Sequence, residues 1–203
     1  MKKYIIIIIL FQFYGIKAQK KDSLSTDYDR IYVEFGQIIP LGTLKKQFDQ
    51  SLHYGFWLRT KIKHNNYWEV GFNFYIPKNA QPVQVFEKGS NHIFKSAKFN
   101  FSFGGRLSKV IELSKNTNID WVTGFGVKLY PYSIPNTLIL TEEEKEKRDG
   151  NVIFQPYLAQ GLRFNYKNIG LQVHYHYGVN FQTLKLTENF GNSYLTFGVV
   201  YRQ

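Results

Sequence analysis

The sequence predicts an all-β chain: an eight-stranded antiparallel up-and-down transmembrane β-barrel. Three observations lead there. Apolar and polar residues alternate with a period of two through eight segments of the 203-residue chain, as half-buried strands do. Most segments run about 10–13 residues, longer than the roughly 5–6 of an ordinary globular strand and near the roughly 9–11 of a tilted bilayer-crossing strand. The connections alternate between tight turns and long polar loops.

Residues 1–18 read as an export signal. Met1-Lys2-Lys3 is a basic start, the run from Tyr4 to Tyr14 is apolar, and Ala18 is a small residue for cleavage. The run is too short for a spanning helix, which takes about 20 residues. The chain has no cysteine. That excludes disulfides, thiol chemistry, cysteine zinc sites and a lipid-anchored lipoprotein. Residues 19–29 are polar and unpatterned and read as a flexible leader. The barrel then occupies 30–203. The formal net charge of +11 would suggest nucleic acid in a cytosolic protein. Cleavage after Ala18 removes Lys2, Lys3 and Lys17 and no acid, and export separates the chain from nucleic acid, so no such partner is expected.

Each strand follows from its own alternation. From Arg30 to Pro40, Ile31, Val33 and Phe35 oppose Tyr32, Glu34 and Gly36. From Leu52 to Lys63, Tyr54, Phe56 and Leu58 oppose His53, Trp57, Arg59 and Lys61. From Tyr67 to Pro77, Trp68, Val70, Phe72 and Phe74 oppose Glu69, Gly71 and Asn73. From Ser96 to Ser108, Phe99, Phe101 and Phe103 oppose Lys98, Ser102 and Arg106. From Asn118 to Tyr130, Trp121, Phe125 and Val127 oppose Asp120, Gly124 and Lys128. From Val152 to Tyr166, Leu158, Leu162 and Phe164 oppose Ala159, Gly161 and Arg163. From Ile169 to Asn180, Leu171, Val173 and Tyr175 oppose Gln172, His174 and His176. From Ser193 to Arg202, Phe197, Val199 and Tyr201 oppose Tyr194, Gly198 and Arg202.

Lys63-His64-Asn65-Asn66 and Lys167-Asn168 are tight turns, the second suited to positive φ at Asn168. A moderate link is expected near Ile111 to Thr117. The segments Leu41–Ser51, Lys78–Lys95, Pro131–Asn151 and Phe181–Asn192 read as long loops. The charge run Thr141–Arg148 reads as a solvated helical turn in the third of them.

Glycine helps to decide which face is inside. Gly36, Gly55, Gly71, Gly104, Gly124, Gly126, Gly161, Gly170, Gly178 and Gly198 all fall on the polar face. In a narrow barrel they make room there for large neighbours. The expectation is a polar, salt-bridged lumen of Glu34, Arg59, Glu69, Lys98, Arg106, Asp120, Lys128, Arg163, His174 and His176. The lipid-facing set is Phe56, Leu58, Phe72, Phe74, Phe101, Phe103, Trp121, Phe125, Leu171, Val173, Phe197 and Val199. The aromatic share of 18% suits such a surface and its interfacial girdle. The alternative polarity, an apolar lumen, describes a secreted lipocalin-like ligand-binding barrel.

Over about residues 28–203 the chain resembles the small outer-membrane β-barrel proteins, the class of outer membrane protein X and the transmembrane domain of outer membrane protein A. The resemblance lies in signal, strand number, loop asymmetry and the closing strand Ser193–Gln203. Such proteins end on an aromatic residue, whereas here Tyr201 is followed by Arg202 and Gln203. The Asn-, Lys- and aromatic-rich style is similar to Bacteroidetes-type barrels. The resemblance implies the outer membrane of a Gram-negative bacterium, with outer-membrane lipid as one partner. It further implies a non-enzymatic role, through the long surface loops or as an accessory subunit of a larger outer-membrane complex.

Candidate chemistry is sparse. His174 and His176 share a strand face, but no third ligand accompanies them, so neither metal nor cofactor is expected. The same region resembles the outer-membrane lipid A deacylases, which carry a His-x-Ser pair there and an acid beyond, for which Glu188 would stand. His176 occupies the serine position and cannot replace its hydroxyl. A lipid-modifying enzyme is therefore the alternative reading, and no catalytic residue is assigned. An eight-stranded lumen is also too narrow for a porin, which takes about 16 strands.

Overall fold

Eight long strands close into one antiparallel barrel in the computed structural model, which describes residues 30–87, 90–96, 99–133, 151–179 and 191–203. The expected export signal, the leader, Lys98, the charge run and Glu188 lie outside the described residues.

The barrel strands are β1 (Arg30–Leu41), β2 (Ser51–Lys63), β3 (Asn66–Pro77), β6 (Asn100–Ser114), β7 (Thr117–Ser133), β8 (Asn151–Tyr166), β9 (Ile169–Gly178) and β10 (Ser193–Arg202). Between β3 and β6 stands a small hairpin, β4 (Val83–Glu87) and β5 (Ser90–Ser96). Each barrel strand pairs with the next in sequence, and β1 pairs with β10 to close the circle. At that seam Phe35 lies opposite Val199 and Gly36 opposite Gly198. Closure leaves no barrel edge unpaired.

The short-turn end is regular. His64-Asn65, Lys115-Asn116 and Lys167-Asn168 each connect two strands. In each turn the asparagine carbonyl accepts a hydrogen bond from a residue later in the chain. Val110 N donates to Asn65 O at 2.8 Å, Lys167 N to Asn116 O at 2.8 Å and Arg202 N to Asn168 O at 2.9 Å. The positive φ belongs to His64 (52°) and Lys167 (50°). This corrects the expectation for Asn168: in those two turns the left-handed residue is the first of the pair.

Two further expectations change. The link expected near Ile111 to Thr117 is strand on both sides of a two-residue turn, since β6 continues to Ser114. Val110 and Ile111, adjacent and both apolar, hide the period of two, but they pair with Asp120 and Ile119. The second long loop contains the β4–β5 hairpin, and β5 extends the sheet through Lys95 opposite Ser133 and Ser96 opposite Tyr132.

At the long-loop end the chain turns inward after β1. A 3₁₀ turn, Gly42–Lys46, places Leu44 inside, and Phe48 follows it. Both are buried against Ile38, Tyr75, Tyr130, Tyr132, Ile153 and Tyr194, inward residues of five different strands. Phe48 stacks on Tyr130 at 5.3 Å between ring centroids. The segment plugs the mouth.

Candidate functional site: the filled lumen

The alternation sends one set of side chains inward from every strand. Glu34, Glu69, Asp120 and Arg163 are fully buried, and Arg59, Arg106, Lys128, His174 and His176 nearly so. The structure brings six of them into one ion network. Arg106 Nη1 and Nη2 donate to the two carboxylate oxygens of Glu34 at 2.5 and 3.1 Å. Arg163 grips Glu69 in the same forked way, at 2.9 and 3.1 Å. It also reaches Asp120 Oδ2 at 3.3 Å and Glu34 Oε1 at 3.4 Å. Arg59 Nη1 donates to Asp120 Oδ2 at 2.7 Å and to the Tyr32 hydroxyl at 2.6 Å. Three guanidinium groups thus face three carboxylates. Buried charge is tolerated on these terms: paired, bidentate and hydrogen-bonded.

Aromatic rings pack the network. The Arg106 guanidinium lies 3.5 Å from the Trp57 ring centroid, and Arg59 lies 4.0 Å from that of Tyr67. Glycine makes this packing feasible. A Cβ at Gly71 would fall 2.6 Å from Trp57 Cδ2, and one at Gly161 only 1.9 Å from His174 Cδ2.

Towards the long-loop end, neutral hydrogen bonds replace ion pairs. His53 Nε2 and Trp57 Nε1 both donate to Asn73 Oδ1, at 2.9 and 3.2 Å. Asn73 Nδ2 donates to Ser102 Oγ at 3.0 Å, and Ser102 shares a 2.7 Å bond with Tyr75. His176 Nε2 is 3.2 Å from Thr196 Oγ1, and its ring stacks on Tyr194 at 4.3 Å.

Lys128 departs from the expected salt-bridged lumen. It is buried, yet its Nζ sits against tyrosine rings: 4.0 Å from the centroid of Tyr194, 4.2 Å from Tyr75 and 5.1 Å from Tyr130. Its countercharge is the negative face of those rings. Sequence alternation missed this cage, because it assigns a residue to a face but does not say which side chains meet within the lumen. Leu44 and Phe48 were also missed; two apolar residues four apart in a polar loop were the available signal.

Chemically the site is a lock. Each of the three carboxylates accepts a guanidinium hydrogen bond, Asp120 through Oδ2 alone, its buried Oδ1 having no hydrogen-bond partner. His174 and His176 face the lumen, with rings 6.1 Å apart. Among the described residues no group of three His, Cys, Asp or Glu side chains is placed to hold a metal ion.

The outward set is exposed throughout: Phe56, Leu58, Phe72, Phe74, Phe103, Trp121, Phe125, Leu171, Val173, Phe197 and Val199. Phe101 is half-buried between Phe74 and Phe99, at ring distances of 5.9 and 5.1 Å. The apolar side chains therefore clothe the barrel, and the lipocalin-like polarity, with an apolar lumen, is overturned.

This is the fold of the small eight-stranded outer-membrane barrels. The chain is similar to Neisserial surface protein A, with a TM-score of 0.50, 9% identity, and coverage of 89% of this chain and 98% of that one. It is also similar to the N-terminal β-barrel domain of Pseudomonas aeruginosa OprF (TM-score 0.47, 7% identity, 88% and 100% coverage). A third likeness is to Ail, the attachment invasion locus protein of Yersinia pestis (TM-score 0.43, 13% identity, 88% and 100% coverage). No protein-family model matches the chain, and no curated protein sequence does.

Proposed function

We propose that this chain is a small non-enzymatic outer-membrane β-barrel of a Gram-negative bacterium, exported by a cleaved signal at residues 1–18. Its lumen is a structural core, and its action lies at the long-loop surface or in an accessory role within a larger outer-membrane complex. One observation carries the reading: the polarity is that of a membrane barrel. Leu171 is 62% exposed and Phe103 55% on the outside, while Glu34, Glu69, Asp120 and Arg163 are at 0% within. A water-soluble barrel would hold the reverse arrangement. Strand lengths of 10 to 17 residues suffice to cross a bilayer. The composition supports a Bacteroidetes-type subclass.

The lipid-modifying alternative loses support from the inward placement of His174 and His176, since a site acting on bilayer lipid must open toward it. Cell fractionation with a heat-modifiability gel tests the main reading. The expected result is an outer-membrane fraction whose unboiled band migrates apart from the boiled one. A soluble protein with a single mobility overturns it. A pull-down from mild detergent then tests the accessory role, which a stoichiometric outer-membrane partner supports and recovery of the barrel alone opposes.

A further inference from the structure

We propose that the short-turn rim is a binding surface for the headgroups of anionic phospholipids, built on Lys115, Lys167 and Arg202. The proposal rests on the membrane reading above and names the lipid partner of that barrel. Three observations carry it.

First, the three cationic residues are tied into one piece of the rim. Lys167 N donates to Asn116 O, beside Lys115, and Arg202 N donates to Asn168 O, beside Lys167. Arg202 Nε then donates to Lys167 O at 2.5 Å. Lys115 and Lys167 are exposed and Arg202 is half-buried. Hydrogen bonds to backbone carbonyls thus hold the three residues close together on the rim, with the Lys115 and Lys167 side chains exposed.

Second, the charge is one-sided. Lys63 continues the basic rim past the next turn. The acids on neighbouring strands do not neutralise it: Glu34, Glu69 and Asp120 are buried in the lumen and held by arginines. Glu112 is the one exposed acid of this end among the described residues.

Third, the cations adjoin an apolar surface. Tyr166, Ile169 and Tyr201 are exposed on the outer face immediately beside them, and Leu113 on the neighbouring hairpin. Lys167 Nζ lies 5.6 Å from the Tyr166 ring centroid. Outward aromatic and aliphatic side chains ending in a row of cations match an amphiphile with acyl chains and a phosphodiester head. A free phosphate would use only the cations, so the adjoining apolar face favours the lipid.

The test uses the chain without its signal, refolded into bilayers that mix phosphatidylglycerol with phosphatidylcholine. Lipids retained after gentle extraction are read by native mass spectrometry. The expected result is retention of phosphatidylglycerol over phosphatidylcholine, falling as salt rises. Removing the cations in Lys115→Gln/Lys167→Gln/Arg202→Gln lowers the preference by roughly five-fold per charge at low salt. The control Lys45→Gln/Lys46→Gln, at the plugged end, keeps it. Equal retention of both lipids, equal loss in both variants, or full displacement by inorganic phosphate overturns the proposal. If the triple variant does not refold, Lys115→Gln and the salt series on the unaltered chain decide, and a preference insensitive to both overturns it. A chain that never inserts defeats the membrane reading itself; one that inserts without lipid preference defeats only this inference.

Discussion

Arg163 is the point where the lumen network converges, because its guanidinium touches Glu34, Glu69 and Asp120 together. Replacing it with glutamine leaves three carboxylates facing two arginines inside a sealed barrel. The expected cost of Arg163→Gln is about 3–5 kcal/mol, the scale of a broken buried ion pair. Denaturant unfolding of the refolded barrel measures it. Glu69→Gln/Arg163→Gln removes one charge of each sign and should unfold at higher denaturant than the single variant. Lys128 gives the opposite case. Its ammonium rests on three tyrosine rings rather than a carboxylate, so its removal strands no buried charge. Lys128→Met should cost less than about 1 kcal/mol or stabilise the barrel, since lost cation–π attraction is offset by relief of desolvation. A loss as large as that of Arg163→Gln would mean that Lys128 serves the ion network as countercharge.

Among the elements, the two-residue turns and the inward plug are the parts open to a clean test. His64 holds φ at 52°, a strained value for a residue with a Cβ. His64→Gly should stabilise the barrel by up to about 1 kcal/mol, and an unchanged or lowered denaturation midpoint would argue against strain there. The plug packs through Leu44 and Phe48. Leu44→Ala/Phe48→Ala should speed hydrogen exchange over residues 42–50 while the strand amides stay protected, because the lost packing is local. In planar bilayers this variant should remain non-conducting, since the ion network still fills the barrel below. Discrete conductance steps would make the plug a gate instead. These elements also show where sequence reading runs out. In β2, β9 and β10 strict alternation reports burial residue by residue, so strand and face are legible together. Alternation assigns a face but neither height nor azimuth. It cannot foresee that Arg163 meets Glu69, 94 positions away, or that Lys128 meets rings rather than a carboxylate. The plug escaped because its apolar residues are few and their contacts reach across the mouth; the β4–β5 hairpin escaped because its strands, at 5 and 7 residues, are short. In the tight turns composition marks the place but not which residue takes positive φ.

For the whole molecule the decisive property is the polarity between its two surfaces. Eight strands enclose a lumen just wide enough to be filled by side chains, and here charged and aromatic groups fill it. The outer face then carries the apolar area that a soluble protein would bury. A contiguous exposed surface of this kind exceeds what water-soluble monomers present. It is satisfied only by an apolar solvent or a covering partner. The two solvents assign different energies to one substitution. Val173 lies midway along β9, opposite Leu162 and Phe197, and is exposed. On a water-facing surface Val173→Arg would change stability by no more than about 0.5 kcal/mol in either direction. At the bilayer midplane the same change costs about 2–4 kcal/mol. Urea unfolding from lipid vesicles should therefore show a midpoint well below that of the unaltered barrel. The same substitution in detergent micelles, where water reaches the surface more easily, should cost less. A Val173→Arg midpoint unchanged in vesicles would mean that this face meets water or a polar partner, and the membrane reading would fall with it.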